Sequence, residues 1–173
     1  MASNFDFLDD AHSELGQSAV EAEALVHRAP RAACFTARFA LEQAVHWLYA
    51  NDPNLSLPYD HQLGALIHEQ SFKDNLGQQV FSKVRTVLKV GNRAAHDRRP
   101  LGKSEAIHVV RELFHVLYWV SRTYAHDPSK QPKVKWDPSL LPAEEAAGKE
   151  TLEQLADLEK QLADSDAMAK IKD

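Results

Sequence analysis

The chain has 173 residues, with 20 Lys+Arg against 25 Asp+Glu and a formal net charge of −5. That length holds one domain, or one domain with an extension, and excludes a large multidomain enzyme. The lone Cys34 excludes a disulfide scaffold, and the mildly acidic total offers no global case for nucleic-acid binding.

Residues Met1 to Asp10 are acidic and lack the basic and apolar regions of a leader. No apolar run approaches the ~20 residues of a membrane span. A cytoplasmic location without membrane contact is therefore expected, and one free cysteine fits a reducing compartment. Phe7, Leu8, Ala11, Leu15, Ala19, Ala22 and Val26 recur at roughly helical spacing. Asp9, Asp10 and Glu14 suit the N-terminal half of that helix, where the macrodipole favours acids. Pro30 suits the first turn of a second helix, running to Ala50 with Phe35, Phe39, Leu41, Val45, Leu48 and Tyr49 as its apolar set. Within it, Cys34 reads as a small buried hydrophobe rather than a nucleophile. Asn51-Asp52-Pro53-Asn54 is a stop signal.

A short helix follows at about His61–Glu69, then a further helical turn at Ser71 to Leu76. Gln78 to Ala95 is a strong helix, with Val80, Phe81, Val84, Val87, Leu88 and Val90 apolar. Arg98 to Gly102 breaks it. Ser104 is placed to cap a fifth helix over Glu105 to Tyr124, with the stripe Ile107, Val110, Leu113, Phe114, Leu117, Tyr118 and Val120. Pro128, Pro132, Pro138 and Pro142 then exclude regular helix, and Trp136, Leu140 and Leu141 are candidates to pin that segment to the core. From Lys149, Leu152, Leu155, Leu158 and Leu162 form a narrow stripe on an exit helix or the start of a coiled coil. No stretch alternates apolar and polar residues, so no significant sheet is expected. The predicted fold is all-α: a bundle of four to five main helices over 1–126, a Pro-rich linker over 127–148 and a Leu-rich exit helix over 149–173.

The charge is unevenly placed. Residues 143–173 hold nine acids and four bases, which accounts for the whole −5. The first 23 residues carry six acids and no Lys or Arg. Residues 83–103 carry seven bases, Lys83, Arg85, Lys89, Arg93, Arg98, Arg99 and Lys103, and one acid, Asp97. Such a run is either a solvated helix face or a patch that meets a phosphate backbone or an acidic partner.

Gly102-Lys103-Ser104 resembles the end of a phosphate-binding loop, but the required upstream glycine position is Asp97 and no strand precedes it. His108, Glu112 and His115 share one helix face over about two turns, too long a span for one metal ion. The most distinctive segment is Lys89 to Asp97. Asn92 and His96 are one turn apart and can share a hydrogen-bond partner, while Ala94 and Ala95 permit close approach of another helix. His moves protons near neutrality and Arg stabilises phosphate charge, so the cluster suits RNA cleavage or phosphate binding. The alternative is a buried Asn–His pair that fixes helix packing.

A family resemblance rests on Ser3-Asn4-Phe5-Asp6-Phe7-Leu8, Ala32 to Glu42, Trp47-Leu48-Tyr49, Leu66-Ile67-His68-Glu69, Gly91 to His96 and Arg111 to His115. In that order these blocks resemble the HEPN superfamily, and within it the domain-of-unknown-function 4145 type found at the N-terminus of type I restriction enzyme R subunits of the HsdR kind. The resemblance covers about residues 3–126. It implies a HEPN-like helical domain at the start of an anti-phage restriction subunit, whose other domains translocate and cleave DNA with ATP and Mg. No cofactor or metal is implied for this chain. Its implied partners are other restriction-modification subunits, a second copy of itself, or DNA or RNA through the basic run. Ribonuclease members have an Arg separated from the His by four to six intervening residues; counting back from His96, those positions are Gly91, Val90 and Lys89. Arg85 lies about 16 Å up the helix axis at ~1.5 Å per residue, and Lys89 lacks the bidentate fork. The expectation is a non-catalytic interaction domain, with Asn92, His96 and Asp97 as the motif's polar residues. The alternatives are a metal-independent ribonuclease or toxin-like domain using His96 with Asn92, and a homodimerisation module.

Overall fold

The computed structural model describes residues 1–8, 12–143 and 149–171, with side chains after 149 described at 154–165. Asp9, Asp10, Ala11, Glu144, Glu145, Lys172, Asp173 and the side chain of Leu152, all used above, lie outside the described residues.

Among the described residues six α-helices follow one another: α1 (Ser13–Leu25), α2 (Pro30–Asn51), α3 (Leu63–His68), α4 (Gln70–His96), α5 (Lys103–Thr123) and α6 (Lys149–Ile171). No strand occurs among the described residues, as the missing alternation requires. Glu14 occupies the first turn of α1, and Pro30 the first turn of α2, where its lost N–H costs nothing. α2 is the hub and packs on α1, α4 and α5. It runs antiparallel to α4: Arg31 meets Ala94, Arg38 meets Asn92, and Tyr49 stacks on Phe72. α4 and α5 are likewise antiparallel, with Arg93 on Glu105 near one end and Asn75 on Tyr124 at the other.

The buried face of α2 differs from the predicted one. Ala32, Ala33, Ala37, Ala40 and Ala44 are buried with Leu41, Val45 and Leu48, whereas Phe39 is 48% exposed. Small side chains let three helices approach one axis, so the alanine stripe takes the core and the bulky Phe39 is turned out. Cys34 is fully buried in that stripe, as predicted, and burial, with Glu105 second, pushes its thiol up to about 12.

Gly77 separates Gln70–Leu76 from the rest of α4, which matches the expected break. Its φ of 76° and ψ of 164° lie where L side chains are strained, and it is the only positive-φ residue described. Two expectations fail. Ser104 does not cap α5: the helix begins at Lys103, Gly102 stands at the N-cap, and no side chain caps it. Phe7 and Leu8 do not belong to the first helix. Residues 4–7 form a turn that drives Phe5 and Phe7 into the core, edge-on to Phe114 at 6.1 and 5.5 Å.

The proline-rich segment forms two 3₁₀ turns, Pro128–Lys130 and Pro138–Leu140. Asp127 and Asp137 each cap one by accepting from the backbone N–H of the serine two residues on. Trp136 packs edge-on against Phe114 at 5.7 Å. α6 then lies against α2 and α4, with Leu155 and Leu158 half-buried and Leu162 buried. Among the described residues no helix is long and apolar enough to cross a membrane.

At the end of the bundle where α2 stops, Asp52 accepts from the Tyr124 hydroxyl at 2.6 Å and the Asn54 backbone at 2.9 Å. Asn75 Nδ2 donates to the same hydroxyl at 2.7 Å, and Trp47 and Trp119 stand edge-on to the Tyr124 ring. The Tyr124 hydrogen bond holds the Asp52 carboxyl below its ordinary value, and burial raises Tyr124 to about 12. A depressed carboxylate contributes stability above its unfolded pKa and loses it as pH falls through the folded one. Tyr124→Phe is therefore expected to cost about 1–2 kcal/mol at neutral pH. The gap to wild type should shrink as pH drops below about 4. Urea midpoints measured against pH check this, and a gap that stays constant or widens in acid refutes it.

Candidate functional site

The basic run occupies the second half of α4 and its turn into α5, and tertiary structure sorts its members. Lys83 is half-buried and bonds Glu112 at 3.2 Å. Arg93 bonds Glu105 at 3.2 Å, also across the α4–α5 interface. Arg99 pairs with Asp97 at 2.7 Å, and that guanidinium holds the Asp97 carboxyl down to about 2. Those three charges are locally compensated. Arg85, Lys89, Arg98 and Lys103 remain exposed. Arg85 lies 6.0 Å from the Phe81 ring centre, with Lys73 at 5.9 Å from the same ring.

Asn92 and His96 do not form a buried pair. His96 is exposed at the last residue of α4, while Asn92 is half-buried and accepts from Arg38 Nε of α2 at 2.7 Å. Arg38 also faces Glu42 at 3.7 Å. The approach of α2 to α4 is closest here: a Cβ placed on Gly91 would lie 2.4 Å from Arg38 Cβ. Ala94 and Ala95 are buried, in keeping with close packing of a neighbouring helix.

Two residues that no sequence signal marked complete the region. Arg31, at the start of α2, donates to the carbonyls of Ala94 at 2.7 Å, Asp97 at 2.5 Å and Arg99. It thereby caps the C-terminus of α4 with a cation, where the helix dipole is negative. Arg38 brings a guanidinium to the motif that the spacing within α4 does not supply. Both come from more than fifty residues away, so no local pattern reveals them.

Beside this motif a shallow groove of about 420 Å³ opens between α3 and α4. Ile67 and Leu88 line it with His68, Arg85, Lys89 and Asn92. On the His108–Glu112–His115 face, Glu112 bonds Lys83 at 3.2 Å and His108 stands against Arg111 at 3.0 Å. Burial, and then Lys83, lowers the His115 pKa. Among the described residues no three His, Cys, Asp or Glu side chains gather closely enough to hold a metal ion.

The sequence family described as Domain of unknown function (DUF4145) matches residues 20–161. No curated protein and no solved structure matches the chain.

Proposed function

The chain belongs to the DUF4145 family, and we propose that it is a non-catalytic helical interaction domain that meets a nucleic-acid backbone on the outward side of α4. One observation carries this reading: once Lys83, Arg93 and Arg99 are paired, Arg85, Lys89 and Arg98 still stand exposed near one another in sequence. Exposed cations on a rigid helix and in the turn just after it release counterions from phosphates at little ordering cost. The all-helical bundle with Asn92 and His96 closing α4 supports a HEPN-like module. The residue blocks of the sequence support a place at the N-terminus of a type I restriction R subunit. In such a subunit the ATP- and Mg-dependent DNA chemistry belongs to other domains, and this one adds contacts to DNA or to a partner subunit. The non-catalytic reading is supported by Arg38, which brings a guanidinium to Asn92 but is committed to Asn92 and Glu42.

Titration of labelled oligonucleotides at increasing salt tests the proposal. Two to three engaged cations predict a slope of log affinity against log salt of about −2 to −3. Undetectable or salt-independent binding rejects the nucleic-acid reading. Cleavage of RNA by wild type that His96→Ala abolishes rejects the non-catalytic one.

A further inference from the structure

We propose that the cleft between α1 and α6 is a docking site for a basic amphipathic helix of a partner protein. None of its lining residues belongs to α4, so the inference does not rest on the nucleic-acid reading above. α6 packs on α2 and α4, and against α1 it leaves a cleft of about 440 Å³. Met1, Ala24, Pro142 and Leu158 give the cleft an apolar floor. All four are open to a ligand: Met1 and Ala24 are exposed, and Pro142 and Leu158 are half-buried. Val20, 40% exposed, stands one turn before Ala24 and extends that surface along α1. Apolar groups gathered in a polar-rimmed concavity, rather than scattered singly, mark a contact site.

The charge around the cleft defines the chemistry of the partner. Glu21 of α1 and Asp157 of α6 stand exposed in its lining, one on each wall. Glu14 is exposed on the same face of α1 as Glu21, about 10 Å away at ~1.5 Å per residue. Among the described residues none of these three carboxylates is ion-paired. α1 itself contains no Lys or Arg, in contrast to the basic run of α4. Arg28, just past the end of α1, is the cation in the lining and stands two turns from Glu21. It sets the polarity of docking: the partner's Lys and Arg face Glu14, Glu21 and Asp157, and an acid or an apolar residue lies over Arg28. A small cationic ligand would satisfy Glu21 and Asp157 but leave Val20 and Glu14 uncovered. An amphipathic helix laid along α1 reaches all of them, with apolar side chains at i, i+4 and i+7 entering the cleft and covering Val20. An oligonucleotide is repelled by the same acids.

The test uses the whole chain and fluorescence anisotropy with a labelled Leu/Lys peptide patterned as an amphipathic helix. An isomer of the same composition with a scrambled pattern is the comparison. The variants are Glu21→Lys, Asp157→Lys and, away from the cleft, Asp74→Lys at an exposed position of α4, each checked for helicity by circular dichroism. The patterned peptide is expected to bind about tenfold tighter than the scrambled isomer. Glu21→Lys and Asp157→Lys should each weaken it about fivefold, and Asp74→Lys less than about twofold. Equal binding of the two isomers, an equal loss in all three variants, or no binding overturns the inference. A dimer in light scattering that Glu21→Lys dissolves overturns it in favour of a second copy of this chain in the cleft. Displacement of the peptide by octylamine at equal charge concentration overturns it in favour of a small cationic ligand.

Discussion

Asn4→Ala is expected to destabilise the chain by about 2–4 kcal/mol and to loosen its proline-rich segment. Asn4 is 5% exposed and its side chain serves two elements at once. Its Nδ2 donates to Glu23 Oε1 of α1 at 2.7 Å and to the Asp137 carbonyl at 2.9 Å, and its Oδ1 accepts from the Asp137 N–H at 2.7 Å. Glu23 is a 3% exposed carboxylate, satisfied otherwise by the Asn4 backbone N–H at 3.0 Å and by the Ser3 hydroxyl. Removing the amide strips a charge-assisted hydrogen bond from a buried anion and leaves the backbone of Asp137 unsatisfied, and such bonds to charged groups are worth about 1.5–3 kcal/mol. The proline-rich segment is then held by Trp136 against Phe114, by Val134 and Leu141 on the core, and by the Ser121–Gln131 hydrogen bond. Urea unfolding should show a lower midpoint, and limited proteolysis should nick within 127–143 faster than in wild type. Asn4→Asp, which sets a carboxylate against Glu23, should do no better than Ala. A midpoint shift worth under ~0.5 kcal/mol for Asn4→Ala, or an Asn4→Asp variant as stable as wild type, would show that the clasp is not what secures these elements.

Gly91→Val is expected to cost about 3 kcal/mol, and Gly91→Ala a net 1–2 kcal/mol, against the direction of helix propensity. In an isolated helix, Ala in place of Gly gains about 1 kcal/mol. Here the new Cβ would sit 2.4 Å from Arg38 Cβ and 3.0 Å from its Cγ and Cδ. The first of these atoms is anchored to the α2 backbone, so rotamer change cannot relieve the overlap and the two helices must part. Separation also draws Arg38 away from Asn92, whose 2.7 Å bond depends on that approach. Arg38→Ala should not rescue Gly91→Ala, because it keeps the offending Cβ. Thermal unfolding decides the matter: a Gly91→Ala chain that melts above wild type would mean that propensity, and not packing, governs this position.

Much of the helical layout was legible because helix boundaries are local. Pro30, the Asn51–Asn54 stop and the Pro100–Gly102 break act through steric effects on their own backbone. Even the division of α4 was visible, since only glycine adopts the φ of 76° found at Gly77 without strain. The errors fall where distant residues decide. Phe39 looked like core because its helix is apolar on several sides, yet the Ala32–Ala44 stripe packs and Phe39 faces out. Ser104 had the chemistry of a cap but stands exposed inside the first turn of α5, one residue past the helix start. Phe7 kept helical spacing while lying in a turn ahead of the helix.

The site follows the same division. The sequence by itself determined where the cations are: seven in residues 83–103, with Asn92 and His96 among them. It also determined that the chain is helical, because apolar periodicity and breakers are properties of neighbours along the backbone. Only the tertiary structure decided which cations face solvent. Glu112 and Glu105 of α5 reach back to Lys83 and Arg93, while Arg31 and Arg38 of α2 reach across to the end of α4 and to Asn92. Those partners lie up to about seventy residues away in sequence, and a Coulombic or hydrogen-bonded pair has force only over a few ångströms. A charge run therefore records where a surface is placed, and the fold decides how much of its charge is left to meet a partner.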